Sequence, residues 1–283
     1  MKKIIIVTGA SSGLGVCFAR QLSKESADFR RCNKTECASD EIWLLARRED
    51  RLLDTRQQIL QDAANYEKPE YYPAVKVCPV DLSGKAGAVS VKQMLEQYQK
   101  EEPFFQISVL VNNAGFGTYG EFANTDTERE MNMVDVNCTA LTGIVGFALP
   151  WLKKGSRLIN TASLASFLPL GNFAVYGATK SYVLSFTVAL AAELKGKGIS
   201  VTALCPGPVS TEFADVASKG ARKEVRHGLS PEKTVAHCLK KSRKGKLYAI
   251  MAFNWKFQAA ASRFVGRYVG AWFTYAFCKR PSN

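Results

Sequence analysis

Thr8-Gly9-Ala10-Ser11-Ser12-Gly13-Leu14-Gly15 follows an apolar run at residues 4–7 and opens an amphipathic stretch. A glycine pattern alone is weak, but a strand, a glycine turn and a helix in that order form a cradle for phosphate. Gly9 permits the tight turn, Gly13 lets the backbone approach a pyrophosphate, and Gly15 lets the helix pack close to the sheet. Ser11, Ser12 and Leu14 stand at the helix start, where free N–H groups and a partial positive charge favour an anion.

Working outward, the next short apolar run ends Leu44-Leu45-Ala46-Arg47-Arg48. A fold of this kind that prefers NAD usually places a carboxylate there, against the ribose 2′-hydroxyl. Two guanidinium groups suit a 2′-phosphate instead, and the local sequence offers no carboxylate at that spot to repel it. NADP(H) is therefore expected over NAD(H). The competing reading has Arg47 and Arg48 starting a solvated helix and pairing with Glu49 or Asp50. Asp81 and Leu82 follow the third run, where a carboxylate can accept from the adenine amino group. Asn113, Ala114 and Gly115 follow the fourth, bringing small residues against the adenosine.

The same alternation continues along the chain. Strands are expected at residues 4–8, 41–46, 74–80, 107–111, 157–162, 199–205 and 247–252, with helices at 14–23, 50–64, 86–100, 127–152, 174–195 and 231–241. Near-continuous apolar strands separated by amphipathic helices read as a parallel sheet covered on both faces. The fold class is thus α/β, a single doubly wound domain with a seven-stranded parallel sheet over residues 1–252. Residues 253–283 form a basic, aromatic extension of one or two amphipathic helices packed on or beside it. Residues 26–40 are polar, lengthen one connection beyond the usual two to six residues, and read as a surface excursion.

Tyr176 and Lys180 are four apart in a helical stretch, hence on one face, one turn apart. A phenol is a poor acid or base at neutral pH, and an adjacent ammonium together with the positive oxidised nicotinamide would lower its pKa toward the working range. Ser163 closes the fifth strand, where its hydroxyl can hold a substrate oxygen. Asn137, in a long helix, can complete a proton relay through water and the Lys180 amine. Each residue alone has a bland role as core filler, solvated charge or helix cap. Their joint occurrence points to general acid–base chemistry.

Composition narrows the field. With 283 residues and 47% hydrophobic content, a disordered chain is excluded. The net charge of +13 is confined to the end: 15 of the 38 basic residues but only 2 of the 25 acidic ones lie from Lys219 onward. Nucleic acid is not the expected partner, and peripheral membrane contact through the C-terminal segment stays open. The longest charge-free apolar run near that end, 268–278, is shorter than the roughly 18 residues that a spanning helix needs. The N-terminal apolar run ends too early for a signal peptide, so a cytoplasmic protein is expected. Eight cysteines without CxxC or zinc spacing, set apart from His227 and His237, are expected to be free thiols rather than metal ligands.

These elements together resemble the short-chain dehydrogenase/reductase family, of the NADP-preferring carbonyl reductase or alcohol dehydrogenase type. The matching residues are Thr8 to Gly15, Asp81, Asn112 to Gly115, Asn137, Ser163, Tyr176, Lys180 and the Cys205-Pro206-Gly207-Pro208-Val209-Ser210-Thr211 turn. The resemblance implies a Rossmann-fold oxidoreductase moving a hydride between NADP(H) and a carbonyl or secondary alcohol. Tyr176 would be the general acid/base and Ser163 would polarise the substrate oxygen. Lys180 would bind the nicotinamide ribose, and Asn137 would order the relay. Pro206, Gly207, Val209 and Thr211 would lie along the nicotinamide. It also implies a homodimer or homotetramer. Substrate choice is expected from residues 164–175 and 209–230 and the C-terminal segment, whose apolar side chains favour a lipophilic substrate. The alternatives are an NADP(H)-sensing regulator without catalysis and a membrane-peripheral reductase.

Overall fold

The computed structural model describes residues 1–222, 228–280 and 282. Seven parallel strands, β1 (Lys2–Thr8), β2 (Glu41–Ala46), β3 (Ala74–Pro79), β4 (Phe105–Asn112), β5 (Leu152–Thr161), β6 (Ser200–Leu204) and β7 (Tyr248–Ala249), lie in the order β3-β2-β1-β4-β5-β6-β7. Period-two alternation divides the core. Ile4 and Ile6 of β1 face one layer with Leu110, Leu158 and Val183, whereas Ile5 and Val7 face the other with Phe18, Leu44 and Ile159. The chain leaves β3 at one edge and returns as β4 beside β1. That reversal opens a crevice at the carboxyl ends of β1 and β4, where ligands of such sheets bind.

The helices are α1 (Gly13–Arg31), α2 (Glu49–Ala64), α3 (Gly84–Glu101), α4 (Thr127–Val134), α5 (Leu141–Ala148), α6 (Ala174–Lys195), α7 (Phe213–Ala217), α8 (Pro231–Arg243), α9 (Phe253–Ala261) and α10 (Arg267–Phe277). Two helices and one strand differ from the sequence expectation. α1 runs on to Arg31, so the first six residues of the expected excursion at 26–40 are helix. Ser26 and Ala27 are buried, and Glu25 is held by both Arg157 and Arg243. Residues 31–37 are exposed as expected, whereas Glu25, just before the segment, is the buried partner of two arginines, which a polarity pattern does not register. The expected helix 127–152 is interrupted by a π-turn at Asp135–Ala140, which a 3.6-residue period does not register. β7 has only two residues because it pairs with Ala203 and Leu204 alone before Ala252, at φ +69°, turns the chain into α9.

By length and apolarity alone the stretch Thr127–Trp151 would suffice to cross a bilayer. Here it packs against α3 and α6 and carries Asn137 inward. All eight cysteines are free thiols.

Candidate active site

One cleft of about 1230 Å³ runs across the strand ends and takes in nearly every residue singled out above. Its first half is the glycine turn. Gly9 and Gly13 adopt φ +66° and +50°, a region where a Cβ is strained. A Cβ on Gly9 would sit 2.9 Å from Ala114 Cα, and one on Gly15 would sit 1.9 Å from the Gly9 carbonyl oxygen. The turn is thus folded upon itself and upon Asn113-Ala114. Thr8 Oγ1 fastens the two loops, accepting from the Asn113 and Ala114 N–H groups at 2.9 and 3.1 Å. Ser12 is the N-cap of α1, and the first turn holds no acidic residue, so the helix N-terminus faces the cleft with its positive end uncompensated. Ser11, Ser12, Gly13 and Leu14 line that wall, and Asp81, Leu82, Asn113, Ala114 and Gly115 line the floor. Asp81 also accepts from the Ser83 N–H and hydroxyl at 3.0 and 2.8 Å, bracing the entry to α3. A backbone cradle too tight for side chains, at an uncompensated helix N-terminus, fits a dinucleotide pyrophosphate.

Arg47 and Arg48 stand exposed at the rim. Arg48 pairs with neither Glu49 nor Asp50. Glu212, from the loop after β6, reaches across to Arg48 at 3.4 Å and Arg51 at 3.3 Å. The expected absence of a carboxylate at this corner therefore does not hold, because the acid arrives from a segment 160 residues away. Arg47 makes no ion pair among the described residues.

The second half gathers Ser163, Tyr176 and Lys180 against Asn137. Lys180 is buried, and its Nζ donates to the Thr161 carbonyl at 2.7 Å. Burial pushes its pKa down to about 8. Tyr176 is buried as well. Its phenol is pushed up by burial, while a hydrogen bond with Ser163 acts in the other direction. The Lys180 ammonium lies 5.7 Å from the Tyr176 ring centre and is no cause of the phenol's shift. The expected lowering by Lys180 is thus absent in the chain by itself: desolvation outweighs the neighbouring charge. Asn137 Oδ1 accepts from Phe116 N–H at 3.1 Å, and its Nδ2 donates to Phe116 O at 2.9 Å and to Thr179 Oγ1 at 3.1 Å. A Cβ on Gly115 would meet Asn137 Oδ1 at 2.6 Å and Lys180 Nζ at 3.5 Å, so both groups converge where only glycine fits.

Pro206, Gly207, Val209 and Thr211 line the wall opposite, as the sequence suggested. So do the expected specificity segments, apart from residues 223–227, His227 included, which lie outside the described residues. Phe173 stacks on Tyr176 with ring centres 4.1 Å apart, and Phe213 tilts against it at 5.3 Å. Sequence reading missed Thr161, Thr179, Phe173 and Glu212. Thr161 and Phe173 adjoin named motifs in sequence, Thr179 sits inside one, and Glu212 left no local signal.

The C-terminal segment forms the outer wall. Gly171 N–H donates to Thr274 Oγ1 at 2.9 Å and Asn172 Nδ2 to the Tyr275 carbonyl at 3.0 Å, while Trp255 packs on Gly207. Its aromatics were expected to be covered. Phe253, Phe264 and Tyr268 are at least 80% exposed in the single chain, while Trp255, Ala259 and Thr274 line the cleft.

The sequence model of the family described as short chain dehydrogenase matches residues 3–222. A ketoacyl reductase of Nostoc is 30% identical over 246 residues, covering 86% of this chain and 76% of the relative. Among solved structures, a short-chain dehydrogenase from Sphingobium yanoikuyae in complex with NADPH superposes with a TM-score of 0.73 at 23% identity, covering 93% of each chain. A Burkholderia phymatum relative in complex with NAD gives 0.71 at 18%, covering 100% of this chain and 97% of that one.

Proposed function

The chain belongs to the short-chain dehydrogenase family and is an oxidoreductase, and from that premise we propose that it interconverts a lipophilic carbonyl compound and its secondary alcohol with NADP(H). One observation carries the reading: Ser163, Tyr176 and Lys180 converge at one end of a cleft whose other end is a pyrophosphate cradle. A dinucleotide bound there supplies or accepts the hydride. Gly9 to Gly15 would hold its pyrophosphate, and Lys180 and Asn113 to Gly115 its ribose and adenosine side. Ser163 holds the substrate oxygen by hydrogen bond. Tyr176, kept neutral at pH 7 by burial, gives its proton to that oxygen as it becomes an alkoxide. Asn137, with its amide engaged by Phe116 and Thr179, fixes the loop on which Lys180 and the cradle meet.

The preference for NADPH rests on Arg47, free for a 2′-phosphate, and on Arg48 and Arg51, which Glu212 shares. The C-terminal segment acts as a lid on the substrate end. We place the protein in the cytoplasm as a homodimer or homotetramer, which light scattering on the purified protein tests. The test of function is a screen of aldehydes, ketones, quinones and 3-oxoacyl thioesters, following loss of dihydronicotinamide absorbance with NADPH and NADH. Consumption of NADPH with at least one class is expected. No consumption with any would overturn the reading.

A further inference from the structure

The substrate end of the cleft holds three guanidinium groups, Arg129, Arg222 and Arg280, and none of them has a carboxylate partner among the described residues. Arg280, half-buried beyond α10, donates from Nη1 to the carbonyls of Gly171 at 3.1 Å and Cys278 at 3.4 Å, with its Cζ 5.2 Å from the Phe173 ring centre. Arg129 is engaged by neutral acceptors, Val216 O at 2.7 Å and Thr118 Oγ1 at 3.3 Å. Burial first, and then the like charge of Arg222, lower the pKa of Arg280. Tyr119, buried between Phe173 and these two cations, has a hydroxyl with no hydrogen bond among the described residues. Glu128 also lines the cleft and the charge of Arg129 acts on Glu130, but none of the carboxylates makes an ion pair with these arginines among the described residues. Asp126 caps α4 through the N–H groups of Glu128 and Arg129, and Glu212 is held at the other end of the cleft by Arg48 and Arg51.

Arg280, desolvated and subject to the like charge of Arg222, is unfavourable without a counter-ion, and an oxyanion beside the two relieves that repulsion and gains charge-assisted bonds. The Phe173 ring touches both groups, with Arg280 Cζ 5.2 Å and the Tyr176 ring 4.1 Å from its centre. We propose that the substrate is amphiphilic, its reacting carbonyl at Tyr176 joined through an apolar spacer to a carboxylate, sulfonate or phosphate that Arg280, Arg222 and the Tyr119 hydroxyl hold. The inference rests on the carbonyl–alcohol reading and narrows it. The bound anion also fixes which way the carbonyl faces, so part of its binding energy goes to orientation.

The test compares straight-chain oxoalkanoates with their methyl esters, using NADPH. The wild type should favour the acids by about 10- to 100-fold in kcat/KM, the range that a hydrogen bond to a charged group spans. Arg280→Met and, separately, Arg222→Met should each shrink that ratio, mainly through KM. Arg222 makes no contact that stitches α10 in place, so its variant decides the matter even where Arg280→Met loosens the C-terminal segment. Equal use of acid and ester by the wild type, or an unchanged ratio in both variants, overturns the anion site while ester turnover leaves the carbonyl reading standing. If neither compound is turned over, calorimetry with decanoate and decanol on the NADPH-loaded protein decides. Selective decanoate binding that Arg222→Met abolishes supports the anion site, and equal binding overturns it.

Discussion

The two ends of the cleft are built by different means. The cofactor end is framed by backbone at the carboxyl ends of β1, β2, β3 and β4, each loop a few residues from its strand, and a Cβ at Gly9 or Gly15 there would collide with backbone. The substrate end is assembled from side chains on segments distant in sequence: Tyr119, Phe173, Phe213, Trp255 and Arg280. The first end needs few residue choices and tolerates no other. The second is tuned by many, which is how one scaffold serves many substrates.

The contrast breaks most sharply at Tyr176. Tyr176→Phe should keep the fold and NADPH binding and lose about 100- to 10,000-fold in turnover, since only the proton donor is removed. Retention of more than about a third of the rate would mean that another group is the acid. At the other end, Arg47→Asp should weaken NADPH by about 10- to 100-fold and leave NADH nearly unchanged, read by titrating both cofactors. Equal wild-type affinities for the two would remove the assignment.

Removing residues 253–283 should leave the cradle intact while costing about tenfold or more in kcat/KM on lipophilic carbonyls, because the wall over the substrate end is gone. Full activity and an unchanged oligomeric state, together with loss of sedimentation with anionic vesicles, would make the segment a membrane contact instead. A smaller effect is set by pH. Lys180, with its pKa pushed down to about 8, loses its charge above that pH while the raised Tyr176 keeps its proton. Carbonyl reduction, read as kcat/KM, should be flat from neutrality to about pH 8 and then decline as the Lys180 ammonium is lost. The smallest effect is expected of Glu212→Gln, which frees Arg48 and Arg51 and should tighten NADPH by a few-fold.

The cofactor end was legible because its requirements are local. Gly9, Gly13 and Gly15 answer to backbone sterics within one turn, and the alternating apolar runs set sheet and topology. The Tyr176–Lys180 spacing was legible for the same reason. The pKa of Tyr176 was not, since burial, which has no local signature, outweighs the ammonium beside it. Nor was Glu212, whose partner lies across the cleft. The segment 26–40 misled in its first residues, because Ser26 and Ala27 are buried and Arg30 donates to the Tyr71 and Ser39 carbonyls. At the aromatic C-terminus Trp255 packs on Gly207 while Phe253, Phe264 and Tyr268 stay exposed, a difference in contact that residue type alone does not set.

The central claim is that this cleft moves a hydride onto a carbonyl carbon. It is tested most directly with NADPH deuterated on its reducing carbon and a carbonyl substrate, by mass analysis of the product. The account predicts one deuterium on the carbinol carbon of the alcohol, formed by the wild type and nearly absent with Tyr176→Phe. NADPH that binds tightly yet delivers no label to any alcohol would contradict it and leave a nucleotide sensor in place of an enzyme.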